Sequence, residues 1–420
     1  MPTLFDEVAN VPTQTWDISE SISELAYLTH NFFRYYGKFP SLVAKKLIDE
    51  FARPNMTILD NYAGSGTTLV EAKLAGYNSI GVDVNPFAIL ACRVKCRNYS
   101  VVELNRRWQD LSALLEEHYS LLLSSEDLIT NRSKYTYNAS LDIAKQYLPN
   151  TPSVDKWFSE LSRNSLAILK SCILQLQEDE YREFFTLAYF AIIRRVSNAY
   201  DGEIRPHINK DKRPRPVWKA YAKKVREMID REMEWNLRTR TNVSAVAELA
   251  DNRELSRLPV TKEEPIGLII AHPPYLNSFD YFPAYNLEFQ WAKGFPELWG
   301  QYDLETLRSL EIRAWPATKK EIYQSYFDNQ RQMLLQALTV LQPGCYCCVV
   351  LGDATIHGEL VPVLAMCSEI AISIGFELTQ IIYRTTHFGV GKYAYTARAD
   401  YHGNGAGKKD GILVLRKPDL

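Results

Sequence analysis

A glycine-rich turn between an apolar run and a helical pattern constrains the fold more than any other part of this 420-residue sequence. The run Met56–Asp60 is typical of a buried strand, and the turn Ala63–Gly66 follows it. Residues Thr67–Ala75 have helical spacing, and a second apolar run, Ser79–Val82, leads into Asp83. Strand, turn, helix and strand together form a right-handed βαβ unit. The sequence therefore predicts an open parallel sheet that begins at this unit.

A long helical stretch separates two blocks of alternating strand and helix patterns. Between Val101 and Asn242 we find no strand pattern, and apolar residues recur at three- and four-residue spacing. Helical patterns Glu321–Leu341 and Val361–Ile374 lie between the later strands, which are Val243–Leu249, Ile266–Ala271, Cys345–Leu351, Phe376–Tyr383 and Gly411–Leu415. We predict a doubly wound α/β fold with a helical insertion. Residues 1–100 and 243–420 form the two halves of the sheet domain, and 101–242 form the insertion.

Composition and charge exclude several classes of protein. The 46% of hydrophobic residues excludes a wholly disordered chain. With 48 Lys and Arg against 50 Asp and Glu, the chain is no polycation, so a site for a polyanion must be a local patch. Three of the seven cysteines lie in the apolar run Cys345–Leu351, which is typical of a buried strand, so the cysteines support neither a disulfide framework nor a zinc site, and we expect no metal. No apolar window approaches ~18 residues and MPTLFDEVAN lacks signal-peptide features, so we expect a cytoplasmic protein without membrane contact.

The glycine turn and Asp83 predict a pocket for a nucleoside or dinucleotide cofactor. A glycine turn lets the backbone approach a ligand closely, with N–H groups directed at anionic atoms. Asp83 ends the next strand, where a carboxylate can accept both hydroxyls of a ribose. The turn Gly64–Gly66 lacks the third glycine of GxGxxG, which favours S-adenosyl-L-methionine, with its carboxylate near the turn and Thr67 or Thr68. The alternative is a purely structural turn.

Five segments resemble motifs of the amino-DNA methyltransferases, which methylate N4 of cytosine or N6 of adenine with S-adenosyl-L-methionine. In chain order they resemble the tenth, first, second, third and fourth motifs: His30 with Tyr35–Pro40, Asp60–Thr68, Asp83–Pro86, Ala250–Arg253 and His272–Tyr275. The first motif departs from the usual DPFxGSGTT at Asn61 and Tyr62. The resemblance implies a Rossmann-like class I methyltransferase sheet, with the helical insertion between its second and third strands.

The same resemblance implies which residues contact the cofactor. The tenth motif would lie against the methionine end, the second at the ribose and the third at the adenine amino group. The implied contacts are Tyr35, Lys38, Phe39, Asp60, Ala63, Gly64, Ser65, Gly66, Thr67, Thr68, Asp83, Val84, Asn85 and Asp251.

The segment His272-Pro273-Pro274-Tyr275 directly follows a buried strand and resembles the family signature (D/N/S)PP(Y/F/W). Two prolines interrupt a strand ladder, so a plain strand terminator is the alternative. The resemblance implies that the first side chain and the Pro273 carbonyl accept both protons of the target amine. Tyr275 would then stack on a base flipped out of the duplex. The acceleration would come from positioning and electrostatics, without a covalent enzyme intermediate.

His272 stands where the family normally has an acid, an amide or a hydroxyl. A neutral imidazole can accept one hydrogen bond, whereas an imidazolium accepts none. The following residues, Leu276–Tyr281, resemble the PPYLNAIDY version of the motif, found in several enzymes, many of them assigned to cytosine-N4. Cytosine is therefore slightly favoured over adenine as the target.

A basic, proline-punctuated stretch predicts a nucleic-acid surface. Eleven Lys or Arg and three acids lie between Arg194 and Arg226, and the core Arg205–Pro216 is predicted to be a loop. Clustered cations suit phosphate contacts, although a solvated charged face is the alternative. The predicted DNA contacts are Arg194, Arg195, Arg205, His207, Lys210, Lys212, Arg213 and Arg215. A second loop, 385–409, has five glycines and either closes over cofactor or DNA or is a flexible connection.

These patterns together predict a site-specific methyltransferase of double-stranded DNA, of the restriction-modification kind, with any cognate endonuclease on a separate chain. Two alternatives remain open. One is an RNA amino-methyltransferase of the guanine-N2 type, which shares the PPY chemistry. The other is a catalytically silent DNA-binding protein that keeps the cofactor fold. Cofactor turnover with DNA, and then with RNA, distinguishes the three.

Overall fold

The computed structural model describes residues 11–21, 23–119, 145–151, 153–386 and 410–419. Ten strands lie within these ranges: β1 (Thr13–Ile18), β2 (Thr57–Asp60), β3 (Ser79–Asp83), β4 (Ala245–Leu249), β5 (Ile266–Ala271), β6 (Leu341–Gly352), β7 (Ala354–Ile356), β8 (Glu359–Val361), β9 (Glu377–Thr386) and β10 (Asp410–Arg416). Strands β7 and β8 form a small hairpin, and the other eight form one sheet.

The order of strands in the large sheet is β1-β9-β10-β6-β5-β2-β3-β4. Strand β10 is antiparallel to both neighbours, and all other pairs are parallel. The chain first moves from β2 to β3 on one side, and it later returns to the other side of β2 at β5. The carboxyl end of β2 is therefore the switch point where open α/β sheets bind ligands.

Register brings the predicted motifs together at this edge. Asp60 at the end of β2 pairs with Gly81 on β3 and with Ile270 on β5. The residues that follow the three strands consequently emerge side by side. All residues of β2 and β5 are buried, as expected for parallel strands covered on both faces.

Helices cover both faces of the sheet. The helices outside the insertion are α1 (Ser41–Phe51), α2 (Thr67–Ala75), α3 (Pro86–Cys96), α9 (Pro259–Glu263), α10 (Tyr281–Ala284), α11 (Asn286–Ala292), α12 (Leu304–Leu310), α13 (Lys320–Val340) and α14 (Val363–Ser373). Helix α1 packs on one face of the central strands, whereas α13 and α14 pack on the other. Short 3-10 helices occur at Glu24–Ala26, Leu28–Asn31, Asn252–Arg257 and Pro296–Leu298.

The insertion between β3 and β4 contains five described helices: α4 (Val101–Tyr119), α5 (Val154–Trp157), α6 (Glu160–Gln175), α7 (Glu180–Ile192) and α8 (Val217–Arg238). Their apolar faces form one buried cluster, which also contains Phe87 of α3 and Phe289 of α11. The insertion therefore packs against the sheet domain beside the switch point. Leu161 and Leu122 both belong to the apolar residues at three- and four-residue spacing that predict these helices. Leu161 is 39% exposed, and Leu122 lies outside the described residues.

The predicted Rossmann-like sheet with a helical insertion between its second and third predicted strands is confirmed. The division of the chain at residues 100 and 242 stays a prediction. Strand β1, helix α1 and helices α10–α12 were not predicted. In the described part of the chain, no helix is long and apolar enough to cross a bilayer.

Candidate functional site

A cavity of about 810 Å³ lies at the carboxyl ends of β2, β3 and β5. Residues of all five predicted motifs line it: Tyr35, Lys38, Phe39, Asp60, Ala63, Gly64, Ser65, Thr67, Asp83, Val84, Asn85, Asp251, His272 and Pro274. Four predicted site residues, Gly66, Thr68, Pro273 and Tyr275, are not part of the lining.

The glycine loop after β2 needs its two glycines. Gly64 and Gly66 have positive φ angles of 48° and 77°, a conformation that residues with a Cβ rarely adopt. A Cβ at Gly64 would lie 3.1 Å from the Tyr35 ring, and one at Gly66 would lie 3.1 Å from the Cys92 Cα. The loop therefore brings bare backbone to the wall of the cavity.

Asp83 ties the glycine loop to the end of β3. One carboxylate oxygen accepts the Gly64 N–H at 2.8 Å, and the other accepts the Asn85 N–H at 2.8 Å. Burial raises the pKa of Asp83 to about 6, and burial likewise raises the pKa of Asp60 to about 7. Asp83 thus has a structural role in addition to facing the cavity.

Buried polar atoms in the cavity wall indicate a polar ligand. Within the described residues, the Ser65 hydroxyl and both amide atoms of Asn61 are buried without a hydrogen-bond partner. Buried polar groups are rarely left unsatisfied in native proteins. The Ser65 hydroxyl, the Asn61 amide and the Asp83 carboxylate form a donor and acceptor set that fits a nucleoside with a charged tail.

Asp251 of the third predicted motif lines the cavity, and its carboxylate is hydrogen-bonded to Arg253. Arg253 donates from Nε and Nη2 to the Asp251 oxygens at 2.8 and 2.7 Å, and its backbone N–H donates at 2.9 Å. Arg253 in turn donates to the Asn329 side chain at 2.7 Å. Asp251 is therefore rigidly oriented, and Asn252 beside it also lines the cavity.

The tenth predicted motif contributes a buried polar network. Lys38 lines the cavity, and its ammonium donates to the His30 carbonyl at 3.0 Å. Burial lowers the pKa of Lys38 to about 8. The His30 ring lies 2.6 Å from a carboxylate oxygen of Glu71, which also accepts the Tyr27 hydroxyl proton. This network anchors the N-terminal segment to helix α2.

His272 lines the cavity directly after β5. Its ring centroid lies 5.1 Å from that of Phe39 and 5.3 Å from that of Tyr275, the latter in an edge-to-face arrangement. The two aromatic neighbours fix the position of the imidazole at the cavity wall.

Tyr275 is held in place by residues of the neighbouring strands β6, β9 and β10. Its hydroxyl donates to Asp410 at 3.0 Å and accepts from Arg384 at 2.8 Å, and these two form a buried ion pair. A Cβ at Gly352 would lie 2.8 Å from the tyrosine ring, so the ring rests on bare backbone of β6. Strands β6, β9 and β10 therefore set the orientation of Tyr275.

Glu311, which lines the cavity, and Lys95, which lies behind the glycine loop, were not predicted from the sequence. Glu311 accepts the N–H groups of Tyr281 and Phe282 at 2.5 and 3.1 Å, and burial raises its pKa to about 7. Lys95 is fully buried and donates to the Ser65 carbonyl at 2.7 Å, beneath the glycine loop. Glu311 follows His272 by 39 residues in a segment without a motif, so no sequence signal indicates it.

The structure separates the predicted nucleic-acid contacts into two groups. Arg194 is buried and donates to the carbonyls of Glu203 and Ala284 at 2.8 and 2.7 Å. The Lys212 ammonium donates to the Arg194 and Ala199 carbonyls and to Asp201. These two cations hold the loop together. The other predicted contacts reach the surface. Arg205 is half-buried, and the exposed ones are Arg195, His207, Lys210, Arg213 and Arg215.

Of the second predicted loop, residues 387–409 lie outside the described residues. All seven cysteines lie in the described residues, where they are buried and form no disulfide bond. The described residues contain no cluster of three or more His, Cys, Asp or Glu that could hold a metal ion.

We expect the thermal stability of the ligand-free protein to fall as pH rises from 6 to 8. Burial raises the pKa of Asp83 to about 6, of Asp60 and Glu311 to about 7 and of Glu232 to about 8. These pKa values exceed those of the same groups in the unfolded chain. The protonated carboxyl groups therefore stabilise the fold fully below about pH 4, and this contribution is lost as pH rises through their folded-state pKa values. Burial lowers the pKa values of Lys38 and Lys224 to about 8. Their contribution to the stability of the protein is present above about pH 10.5 and falls only as pH drops from there towards 8.

Thermal denaturation across this pH range measures the effect. Glu232→Gln should flatten the slope near pH 8, since an amide does not titrate and the Glu232 carboxylate accepts the Tyr99 N–H at 2.8 Å. A melting temperature that rises steadily from pH 6 to 8 would contradict this assignment.

Sequence comparisons agree with the motifs. A family model described as DNA methylase, for N6 and N4 methyltransferases, matches residues 6–92. The type II methyltransferase M.MvaI of Kocuria varians is 25% identical over 261 residues, covering 60% of this chain and 54% of the relative. M.BsoBI of Geobacillus stearothermophilus is 25% identical over 268 residues, covering 62% and 52%. The chain thus spans about half the length of these curated relatives.

Comparison with solved structures adds little. The crystal structure of TrmN from Thermus thermophilus aligns over 91% of this chain and 50% of that chain, at 12% identity and a TM-score of 0.31. A likeness of this size carries no argument about function. The family-model match over residues 6–92 and the two type II methyltransferases show that this chain is similar to DNA methyltransferases of the N6 and N4 type.

Proposed function

We propose that this protein transfers a methyl group from S-adenosyl-L-methionine to an exocyclic amine of a flipped DNA base, with cytosine-N4 slightly favoured over adenine-N6. The observation that carries the proposal is the cavity at the switch point, because residues from five separate motifs line it together. The first and second predicted motifs supply polar groups suited to a nucleoside, and the fourth supplies His272 in the same cavity.

The chain's own residues fit the cofactor. When bound, S-adenosyl-L-methionine supplies an electrophilic methyl group on a sulfonium sulfur. We propose that Asp83 binds the ribose hydroxyls and that the glycine loop binds the methionine carboxylate, since Gly64, Ser65 and Thr67 line the cavity beside the N-terminus of helix α2. Asp251 and Asn252 line the side proposed for the adenine.

The proposed chemistry depends on two acceptors. An exocyclic amine is a poor nucleophile because its lone pair is delocalised into the base. His272, as neutral imidazole, would accept one amine proton and the Pro273 carbonyl the other, so that the nitrogen lone pair points at the methyl group. The acceleration then comes from positioning and from preorganised dipoles, without a covalent intermediate. Tyr275, oriented by Arg384 and Asp410, is the proposed stacking partner of the base.

The proposed DNA surface is the part of the basic loop that reaches solvent. We expect that neutralising Lys210, Arg213 and Arg215 together lowers DNA affinity. The log–log dependence of affinity on salt should become shallower by up to ~0.9 for each phosphate that the protein no longer neutralises. Cofactor affinity should remain unchanged. Lys212 is left intact because its ammonium holds the loop.

The matched control neutralises three exposed cations far from the loop in sequence: Arg238, Arg240 and Lys262. It should leave both DNA affinity and the salt slope near those of the parent protein. An unaltered slope in the loop variant would identify the loop as a solvated charged face. Titration of a fluorescent duplex at four salt concentrations gives both quantities.

Transfer of isotopically labelled methyl groups tests the proposed function. The protein is incubated with labelled cofactor and either unmethylated double-stranded DNA or structured RNA. We expect label on DNA and none on RNA. Label on RNA alone would favour the guanine-N2 alternative, and DNA binding without transfer would favour the silent binder.

The biological setting is part of the same proposal. The two relatives named above are type II methyltransferases, which supports a restriction-modification role with a cognate endonuclease as a separate chain. A cytoplasmic location would give the protein access to its proposed substrate.

A further inference from the structure

A second positively charged surface lies next to the cavity, on residues 313–320, which we call the Trp315 segment. Exposed and buried positions alternate along its first half: Arg313 and Trp315 are exposed, whereas Ala314 and Ala317 are buried. Lys319 and Lys320 are exposed at its other end. The segment has three cations and no acid of its own, and no sequence motif indicated it. Arg313 pairs with the Asp280 carboxylate at 3.2 Å, so Lys319 and Lys320 supply most of its uncompensated charge.

The Trp315 segment is held in a fixed position relative to His272. The carboxylate of Asp280 accepts the N–H groups of Ala314 and Trp315 at 3.0 and 3.1 Å. Asn277 donates its N–H to the Ala314 carbonyl at 2.8 Å. Asp280 and Asn277 belong to the stretch that directly follows the His272–Tyr275 motif. The segment therefore cannot move independently of the chemical site.

The Trp315 segment also contacts the basic loop. The guanidinium carbon of Arg205 lies 3.9 Å from the centre of the Trp315 ring. A guanidinium stacked on an aromatic face keeps its N–H groups in the plane parallel to the ring, where they can donate to a phosphate. Trp315 is 38% exposed despite this contact, which is unusual for so large an apolar side chain. The pair thus joins two cationic surfaces beside the cavity.

We infer that Arg205 and Trp315 form a clamp for the DNA backbone immediately beside the extruded base. Extruding a base from a duplex requires the flanking backbone to be held while pairing and stacking are lost. Arg205 donates to a phosphate, and the indole both orients the guanidinium and packs against the neighbouring sugar or base. This inference rests on the proposed function. It adds Trp315 to the DNA contacts of the basic loop, and Trp315 is held by Asp280 in the stretch that follows the His272–Tyr275 motif.

Four variants test the clamp: Arg205→Ala, Trp315→Ala, the double variant and Trp315→Phe. DNA affinity is measured on a short duplex at several salt concentrations. We expect Arg205→Ala to weaken binding about 5- to 20-fold at low salt and to reduce the salt slope by ~0.9. Trp315→Ala should have a similar effect, and the double variant should fall short of the product of the two. Trp315→Phe should retain most of the affinity, because a phenyl ring still supports the guanidinium.

The controls separate the clamp from its alternatives. Arg240→Ala removes an exposed arginine elsewhere and should leave affinity unchanged. Calorimetry with S-adenosyl-L-methionine should give parental affinity for every variant. Parental DNA affinity and salt slope in Arg205→Ala would overturn the clamp, and a lowered melting temperature in that case would identify the contact as structural. Failure of the parent protein to bind DNA would instead overturn the proposed function, and the clamp with it.

Discussion

Replacing His272 with alanine should reduce the single-turnover rate of methyl transfer by about 10²- to 10³-fold, the usual cost of one preorganised polar contact in a transition state. The imidazole lines the cavity between Phe39 and Tyr275, so its removal takes away the acceptor without disturbing the Asp83 end. Cofactor and DNA affinities should stay close to those of the parent protein. Single-turnover measurement is required because product release can conceal the chemical step.

His272→Asn is the informative companion variant. An amide oxygen accepts a hydrogen bond and does not titrate, whereas an imidazolium cannot accept. The asparagine variant should therefore retain part of the activity and should not show the loss of rate at acid pH that we expect for the parent protein. Full activity in His272→Ala would remove His272 from the chemistry and leave the base to be positioned by the prolines and Tyr275.

Asp83→Ala should weaken S-adenosyl-L-methionine binding by about 1.5–3 kcal/mol, or roughly 10- to 150-fold, the range for a hydrogen bond to a charged group. The reason is twofold. The carboxylate is the proposed acceptor of the ribose hydroxyls, and it also holds the Gly64 and Asn85 N–H groups. Calorimetry on the purified variant gives the affinity, and thermal denaturation without cofactor reports the loss of the loop contacts.

Asp49→Ala is the matched control, since Asp49 is an exposed carboxylate paired with Lys45 on helix α1. It should leave cofactor affinity unchanged. The cofactor affinity of Asp83→Asn should lie between those of Asp83→Ala and Asp49→Ala, because the amide keeps one acceptor oxygen and loses the charge. Parental cofactor affinity in a folded Asp83→Ala protein would contradict the assignment.

Local patterns were sufficient to predict the elements that form the cavity. Helix α2 has the predicted bounds Thr67–Ala75, since helical spacing leads there to a left-handed glycine, Gly76. Strand β5 also has its predicted bounds, because a fully buried parallel strand is a continuous apolar run. Strand β1 was missed, since its partner β9 lies more than 360 residues away and nothing near it in sequence indicates the pairing.

The candidate site was predictable only where a residue follows a strand. Parallel strands present their carboxyl ends at one edge, so the predicted residues after β2, β3 and β5 meet in one cavity. Charge counting could not tell which cations reach solvent, and Arg194 and Lys212 are bound by backbone carbonyls instead. Glu311 and Trp315 belong to a connection without periodic pattern, and tertiary contacts of Asp280 and Asn277 place Trp315 beside the site.

Nucleoside mass spectrometry is the most direct test of methyl transfer to an exocyclic amine. Unmethylated double-stranded DNA is incubated with the protein and S-adenosyl-L-methionine, digested to nucleosides and compared with a digest of DNA treated with His272→Ala. We predict N4-methylcytosine from the parent protein, with N6-methyladenine as the form that keeps the same chemistry on the other base. A methyl group on a ring carbon, or no methylated nucleoside at all, would contradict it.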